Sequence, residues 1–560
     1  MPANRTVTAD HLERHRALLE AAAVALRDRG HWTAFAESPK AYGRTAAPDG
    51  EAAFEALLGR EFPLGRPCRA GWTATERSPY GIPLGVRYPH AGPGEILDTA
   101  RAALPGWRDA GPDVRAGVCA EILHELNRHS FEIAHATMHT TGQPFLMAFQ
   151  AGGPHAQERG LEAVAAGYAL MTGQVPAVRW ERPSRKGPPA LMDKRFTVVP
   201  RGVGLVIGCN TFPTWNAYPG LFASLVTGNP VVVKPHPRAV LPLAITVRVA
   251  REVLAGAGLD PDVVTLAAEA PGEGLAGPLA TAPEVGVVDF TGSSAYGEWL
   301  ERNARQAVVH TEKGGVNNVV IDSTGDYRGM LANLALSLSL YSGQMCTTPQ
   351  NLLIPGEGVD TDEGHKDFDA LTGDLAETIE ELHRDAARSV EILGAIVSAE
   401  VRQRAEAAAG LGDVVLASRP VAHPRFPDAT VRTPALVRLD AKREDVFGRE
   451  HFGPVAFAVP TEGTDHGLEL LSRTVRGHGA LSALVHSRDE EVLAAAERTA
   501  IDAGVNLSCN LTGGILVNQS AAFSDFHGTG ANRAATASLT DPGFVATRFH
   551  VVQSRRPAEG

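Results

Sequence analysis

Cysteine is scarce: five in 560 residues, at Cys68, Cys119, Cys209, Cys346 and Cys509. They are odd in number, far apart, and contain no Cys-x-x-Cys pair. Neither a disulfide framework nor a cysteine-built zinc site fits that spacing, so no metal is expected, whereas a reducing cytoplasm does fit. Long apolar runs are missing too; none approaches the roughly 18 uninterrupted residues of a membrane span. Positive charge is in deficit, with 52 Lys and Arg against 64 Asp and Glu and a net charge of −12. That balance argues against general binding to nucleic acid or to an anionic membrane surface. The sequence also lacks a GxGxxG dinucleotide fingerprint, an internal repeat and any low-complexity segment.

What is present is the composition of an ordinary globular protein, 44% apolar and 21% charged, in a chain long enough for two or three full cores. The first thirty residues carry Arg5, Asp10, Glu13, Arg14 and Arg16 among apolar positions, which reads as an amphipathic helix and not as a leader. Helical spacing continues over His11 to Arg29, Glu95 to Trp107 and Val114 to Leu146, with a break near Thr140-Thr141-Gly142. Gly59 to Gly94 reads as a surface loop. Two β-rich runs, 177–180 and 195–199, predict a hairpin that leaves the body of the fold.

From Gly202 to Ile321 strand and helix alternate. Valine-rich strands are expected at 204–207, 231–234, 263–266 and 285–290, with helices at 218–226, 240–254 and from Ser294. Such strands, separated by helices, predict a parallel sheet covered on both faces, a Rossmann-like α/β fold. The candidate phosphate loop is Phe290-Thr291-Gly292-Ser293-Ser294-Ala295-Tyr296-Gly297. There Gly292 and Gly297 permit close approach and Ser293 stands where it can cap the helix. Further on, strands are expected at 317–322, 351–354, 454–459 and 481–485. Helices are expected at 374–390 and 401–409, and 356–366 reads as an acidic surface insertion. The tail, 549–553, alternates and suits pairing with the 177–200 hairpin, within the chain or across a subunit boundary.

One cysteine differs from the others in its surroundings. An apolar helical pattern, Met330 to Tyr341, runs into Ser342 and Gly343, and Cys346 follows in a polar loop. A thiolate is a strong nucleophile, and this one is poorly placed for a core. Upstream stand Glu312, in Thr-Glu-Lys-Gly-Gly, and Asn210, in Gly-Cys-Asn-Thr-Phe-Pro.

The ordered set of motifs resembles the aldehyde dehydrogenase superfamily from about residue 90 onward. It comprises Asn210 before Phe212-Pro213; Thr227-Gly228-Asn229 with Val233-Lys234-Pro235; Phe290-Thr291-Gly292-Ser293; Glu312-Lys313-Gly314-Gly315; Gly343-Gln344-Met345-Cys346; and Glu450-His451-Phe452-Gly453-Pro454-Val455. The segments 212–220, 234–237 and 524–530 further resemble the PaaN branch of phenylacetic acid degradation proteins. The resemblance implies a dinucleotide-binding domain from 1–176 with 201–313, a catalytic domain at 314–535, and an oligomerisation element from 177–200 with 540–553. It implies Cys346 as nucleophile, Glu312 as general base, and the Asn210 amide with the Cys346 N–H as oxyanion donors. Lys234, Thr291, Gly292, Ser293, Gly297, Glu450 and Phe452 are then the cofactor-binding positions. The implied substrate is an aldehyde, a ring-opened CoA-linked semialdehyde of phenylacetate catabolism, with ring hydrolysis left to a separate enoyl-CoA hydratase. A homodimer or tetramer is implied as well.

Departures from the pattern shape the details. Family members that prefer NAD often carry a glutamate three residues after the lysine; here that position is Pro237. The missing carboxylate favours NADP over NAD, with His236 as an added donor to the 2′-phosphate. Val316 and Thr347 stand where lysine and arginine are often found. Trp215, Tyr218 and 524–527 are candidate pocket walls, and Arg182, Arg185 and Lys186 a candidate rim for CoA. The alternatives are a CoA-acylating dehydrogenase, against which Glu312 speaks, and a non-catalytic member of the fold.

Overall fold

The computed structural model describes residues 3–65 and 71–559; Cys68 lies outside them. Five parallel strands form the first sheet, in the order 264–266, 231–234, 203–207, 285–292 and 308–313. Val203–Ile207 and Val231–Lys234 are buried along their whole length, as their unbroken apolar sequences require. Leu205, Ile207 and Val232 face a layer that contains Ile96, Leu279 and Leu300. Val206, Val231 and Val233 face the opposite layer, built from helices Pro213–Val226 and Leu241–Gly256. Helices Ala3–Asp28, Gly111–Arg128 and Pro154–Thr172 form the outer coat of that second layer, whereas Pro93–Asp109 sends Ile96, Leu97 and Ala100 to the first.

A second sheet of seven strands follows, in the order 413–416, 435–438, 455–461, 349–355, 317–321, 482–486 and 506–509. Only the edge strand 413–416 is antiparallel to its neighbour. The third sheet is the predicted hairpin, Ala177–Arg182 with Ala190–Pro200, to which Phe549–Pro557 adds antiparallel. The tail therefore pairs within its own chain.

Several elements differ from, or add to, the sequence expectations. The helix expected over 374–390 is two helices, Phe368–Leu382 and Ala386–Leu393, each started by its own aspartate. Asp367 accepts from the Ala370 N–H and Asp385 from the Arg388 N–H, so the second cap restarts the helix after His383. The strand Val308–Lys313, which carries Glu312, has no counterpart among the expected strands; its last residues are polar but buried. Segment 356–366 is a small hairpin, Val359–Thr361 with Gly364–Lys366.

Candidate active site

Cys346 is presented by a loop under conformational constraint. Helix Tyr327–Ser339 ends, and Tyr341, Ser342 and Gly343 then take left-handed backbone angles, with φ of 51°, 50° and 65°. Two of the three are not glycine, a conformation that costs on the order of 1 kcal/mol or more per residue unless the surroundings impose it. The surroundings do so. The Tyr341 hydroxyl donates to the Thr141 carbonyl, and Ser342 Oγ donates to the carbonyls of Leu393 and Arg432 at 3.1 Å each. Gln344 Nε2 donates to the carbonyls of Tyr341 and Ala395, and its Oε1 accepts from the Val397 N–H at 2.8 Å. Asn317 Nδ2 holds the Cys346 carbonyl at 2.9 Å.

The sulfur meets two ionisable groups. His527 Nε2 lies 3.9 Å from Cys346 Sγ and 3.2 Å from Glu312 Oε2. Glu312 comes from the edge of the first sheet, Cys346 from the second half of the chain, and His527 from the loop after strand 506–509. Asn216, in the first turns of helix Pro213–Val226, donates to Glu312 Oε1 at 3.2 Å. Burial opposes ionisation of Glu312, yet the neighbouring His527, with hydrogen bonds from His527, Cys346 and Asn216, holds its carboxyl below the usual range. Burial, and next the Glu312 carboxylate, push the Cys346 thiol well above its ordinary range. The resting pair is therefore a thiol beside a carboxylate.

A cavity of about 410 Å³ opens onto this group, lined by Phe212, Trp215, Asn216, Met345, Cys346 and His527 among others. The N-terminal helical region supplies Leu146, Met147, Gln150, His155 and Glu158 to its wall, so that region is more than an outer coat. Of the expected walls, Trp215 and His527 are in place. Tyr218 is not: it is fully buried and its hydroxyl bonds Thr246 Oγ1 at 2.8 Å. Phe526 points outward beneath the Arg29 guanidinium. The Arg182, Arg185 and Lys186 cluster sits on the exposed hairpin and is not part of the cavity. Glu37, Glu158 and Glu391 line the cavity instead.

Asn210 stands in the turn after strand Val203–Ile207, half-buried, with Oδ1 enclosed and lacking a hydrogen-bond partner. It is not among the residues that line the cavity.

The expected cofactor positions lie at the carboxyl ends of the first sheet. Thr291 and Gly292 end strand Val285–Gly292, and Ser293 occupies the cap position of helix Ser294–Asn303. Its side chain makes no capping bond, contrary to expectation, which leaves the hydroxyl and the helix N-terminus open to solvent. Gly297 is buried: a Cβ there would lie 2.7 Å from the Lys313 stem, so this glycine serves helix–strand packing. Lys234 Nζ pairs with Glu269 Oε2 at 3.0 Å. The carboxylate missing at Pro237 is thus supplied from the loop after strand Val264–Leu266, a partner that sequence spacing could not reveal. Burial, with the nearby Lys234 and Arg238 charges, lowers the His236 pKa to about 4, and His236 Nδ1 accepts from the Arg238 N–H. At neutral pH it is an uncharged turn residue. Glu450 stands against Gly314, where a Cβ would lie 2.1 Å from both carboxylate oxygens. Protein crowding around it raises its pKa to about 7, against which Arg404 and the Gly315 N–H act. Phe452 follows, its carbonyl accepting from Arg404 Nε at 2.9 Å. Lys234 and Glu269 thus form an ion pair at the carboxyl end of the first sheet, and Glu450 stands against Gly314 in the loop after strand Val308–Lys313.

A five-stranded parallel sheet and a seven-stranded mixed sheet thus accompany a thiol, a carboxylate and an imidazole brought together from the two halves of the chain. The model of the aldehyde dehydrogenase family matches residues 93–537, and the chain belongs to that family. A crystal structure of an NAD-dependent aldehyde dehydrogenase from Burkholderia multivorans superposes with a TM-score of 0.97 at 53% identity, covering 98% of this chain and 99% of that one. The N-succinylglutamate 5-semialdehyde dehydrogenase of Paraburkholderia xenovorans is 28% identical over 418 residues, 73% of this chain and 78% of its own. A 1-pyrroline-5-carboxylate dehydrogenase from Thermus with bound NAD shares the fold at a TM-score of 0.74 and 20% identity, covering 94% of this chain and 98% of that one.

Proposed function

We propose that this aldehyde dehydrogenase oxidises a compact, non-anionic aldehyde to its carboxylic acid with NAD. The observation that carries the reading is the convergence of Cys346, Glu312 and His527, with polar side-chain atoms within 4.8 Å of one another, beside a cavity of about 410 Å³ that Cys346 and His527 line. The Cys346 thiol proton passes to the Glu312 carboxylate as the sulfur attacks the carbonyl carbon. The Asn210 Nδ2 and the Cys346 N–H are the donors we assign to the oxyanion. The dinucleotide, when bound, supplies the hydride acceptor. Glu312 releases the thiol proton to solvent, then takes a proton from water as the water oxygen attacks the thioester, and returns it to the departing Cys346 sulfur as the acid is released. Asn216 and His527 hold that carboxylate in place through these proton transfers.

The cofactor choice rests on Glu269. Its carboxylate, tied to Lys234, occupies the ribose side of the cleft and repels a 2′-phosphate, while both groups suit free ribose hydroxyls. The relative from Burkholderia multivorans, described as NAD-dependent, agrees with this assignment. The substrate class rests on the cavity walls. Leu146, Met147, Phe212, Trp215 and Met345 are apolar or aromatic, whereas the ionisable groups beyond the catalytic trio are Glu37, Glu158, Glu391 and His155. An acidic mouth disfavours the polyanionic carrier of a CoA-linked semialdehyde. The exposed three-stranded sheet, with Val178, Val551 and Val552 facing solvent, is the surface on which we place a homodimer contact.

A panel of aromatic, aliphatic and CoA-linked aldehydes, run with NAD and with NADP and followed at the nicotinamide absorbance, tests this reading. Uncharged aldehydes with NAD should turn over fastest and yield free acid. Preference for CoA-linked aldehydes, or release of acyl-CoA in place of acid, contradicts it.

A further inference from the structure

Although the spacing of the cysteines along the chain suits no zinc site, folding assembles a donor set of another kind. Among the described residues, Glu312, Cys346 and His527 bring a carboxylate oxygen, a thiol and an imidazole nitrogen within 4.8 Å of one another. We propose that the resting active site binds a zinc-type divalent cation through Cys346 Sγ, His527 Nε2 and Glu312 Oε2, and that this cation locks the nucleophile.

The geometry fits a tetrahedral ion. Zinc bonds of about 2.0–2.3 Å place neighbouring ligand atoms about 3.2–3.8 Å apart. Here Nε2 lies 3.2 Å from Oε2 and 3.9 Å from Sγ, and all three atoms lie within 4.8 Å of one another, so a modest inward shift of the side chains completes the set. The carboxylate is also shielded from water: Glu312 is 4% exposed, and its enclosed Oε2 has His527 Nε2 beside it at 3.2 Å. Its other oxygen is held by Asn216 at 3.2 Å, and the far nitrogen of His527 lies 3.4 Å from Ser520 Oγ. Both ligands thus have outer partners on the side away from the metal, as ligating side chains commonly do. The fourth position faces the cavity, where water completes the coordination. Glu37 and Glu391 along that cavity favour the approach of a cation. The mixed sulfur, nitrogen and oxygen set selects zinc over magnesium or calcium. On binding, the Cys346 thiol loses its proton to solvent and the thiolate becomes a ligand. No electron is transferred and the bond is reversible, so a chelator restores the free thiol.

The inhibitory consequence rests on the catalytic reading given above; the binding itself rests only on the geometry. Metal-free enzyme without dinucleotide is titrated with Co²⁺, which is then displaced by Zn²⁺. One cobalt per chain with a thiolate-to-metal charge-transfer band is expected, lost on adding one equivalent of zinc. Zinc should slow alkylation of Cys346 by iodoacetamide at least tenfold, read by peptide mass, while alkylation of exposed Cys509 is unchanged. His527→Gln, with its melting temperature checked, should weaken zinc binding at least tenfold. Cobalt bound without the thiolate band, unprotected Cys346, or unchanged affinity in a folded His527→Gln overturns the site. Should that variant fail to fold, the cobalt band and the alkylation rate of the natural chain decide alone. An enzyme that oxidises aldehydes but binds no zinc overturns this inference only; one that binds zinc but oxidises nothing overturns the catalytic reading only.

Discussion

At the scale of single residues, the site works because opposing influences on one carboxyl resolve in favour of the charge. Glu312 is buried, which alone would keep it neutral, but His527 and three hydrogen bonds keep it ionised next to a protonated thiol. Glu269 illustrates the same reasoning for the cofactor. If its carboxylate sets the preference, Glu269→Gln should raise kcat/KM for NADP relative to NAD by about tenfold or more, through loss of repulsion against the 2′-phosphate. Parallel kinetics with the two dinucleotides check this, and an unchanged ratio places the discrimination elsewhere. Cys346, Glu312, Lys234 and Glu450 could be picked out from the sequence because they belong to motifs with fixed spacing. His527, Asn216 and Glu269 were legible only as parts of longer segments, or not at all. Their roles depend on contacts across 181, 96 and 35 residues of chain, which no local pattern encodes.

At the scale of elements, the cysteine loop is where the fold meets the chemistry. Three consecutive left-handed residues turn the chain after helix Tyr327–Ser339, and only one is glycine. At Gly343 a Cβ would sit 2.3 Å from the Gly453 carbonyl oxygen, on top of the positive φ. Gly343→Ala should therefore abolish turnover and lower the melting temperature. Ser342→Ala, which removes a hydroxyl whose one proton is shared between two carbonyls at 3.1 Å, should cost about 1 kcal/mol of stability by urea unfolding. A fully active, equally stable Gly343→Ala would show that the loop does not need this geometry. Sequence patterns located the buried strands well, since unbroken valine runs admit few other readings. They failed where strands end in polar residues, as at Val308–Lys313, and where a side-chain cap divides one helical pattern, as at Asp385. In both places tertiary contacts, not local preference, set the outcome.

At the scale of the whole molecule, four buried histidines set the acid limit. Burial lowers the pKa values of His139, His310, His383 and His486 to about 4, from an ordinary value of 6.5. Between those values the unfolded chain binds protons that the native state refuses. Stability is therefore complete above about pH 6.5 and falls as pH drops toward 4, by about 1.4 kcal/mol per histidine for each unit of difference. Urea unfolding across pH 4–8 should show this slope, and a flat profile contradicts it. The three-stranded sheet makes a second whole-molecule prediction. Val552 is 50% exposed on the outer strand; if the proposed dimer contact lies on this sheet, Val552→Glu should lower the mass read by light scattering to that of one chain without loss of secondary structure. An unchanged mass would place the contact on another surface.

The most direct measurement is a rapid mix of Glu312→Gln with aldehyde and NAD. Cys346 should still accept the acyl group, but water should no longer cleave it. One equivalent of NADH per active site should appear in a burst, followed by slow turnover, and peptide mass should find the acyl group on Cys346. Steady turnover at the natural rate with no burst, or an acyl group on any other residue, contradicts the account.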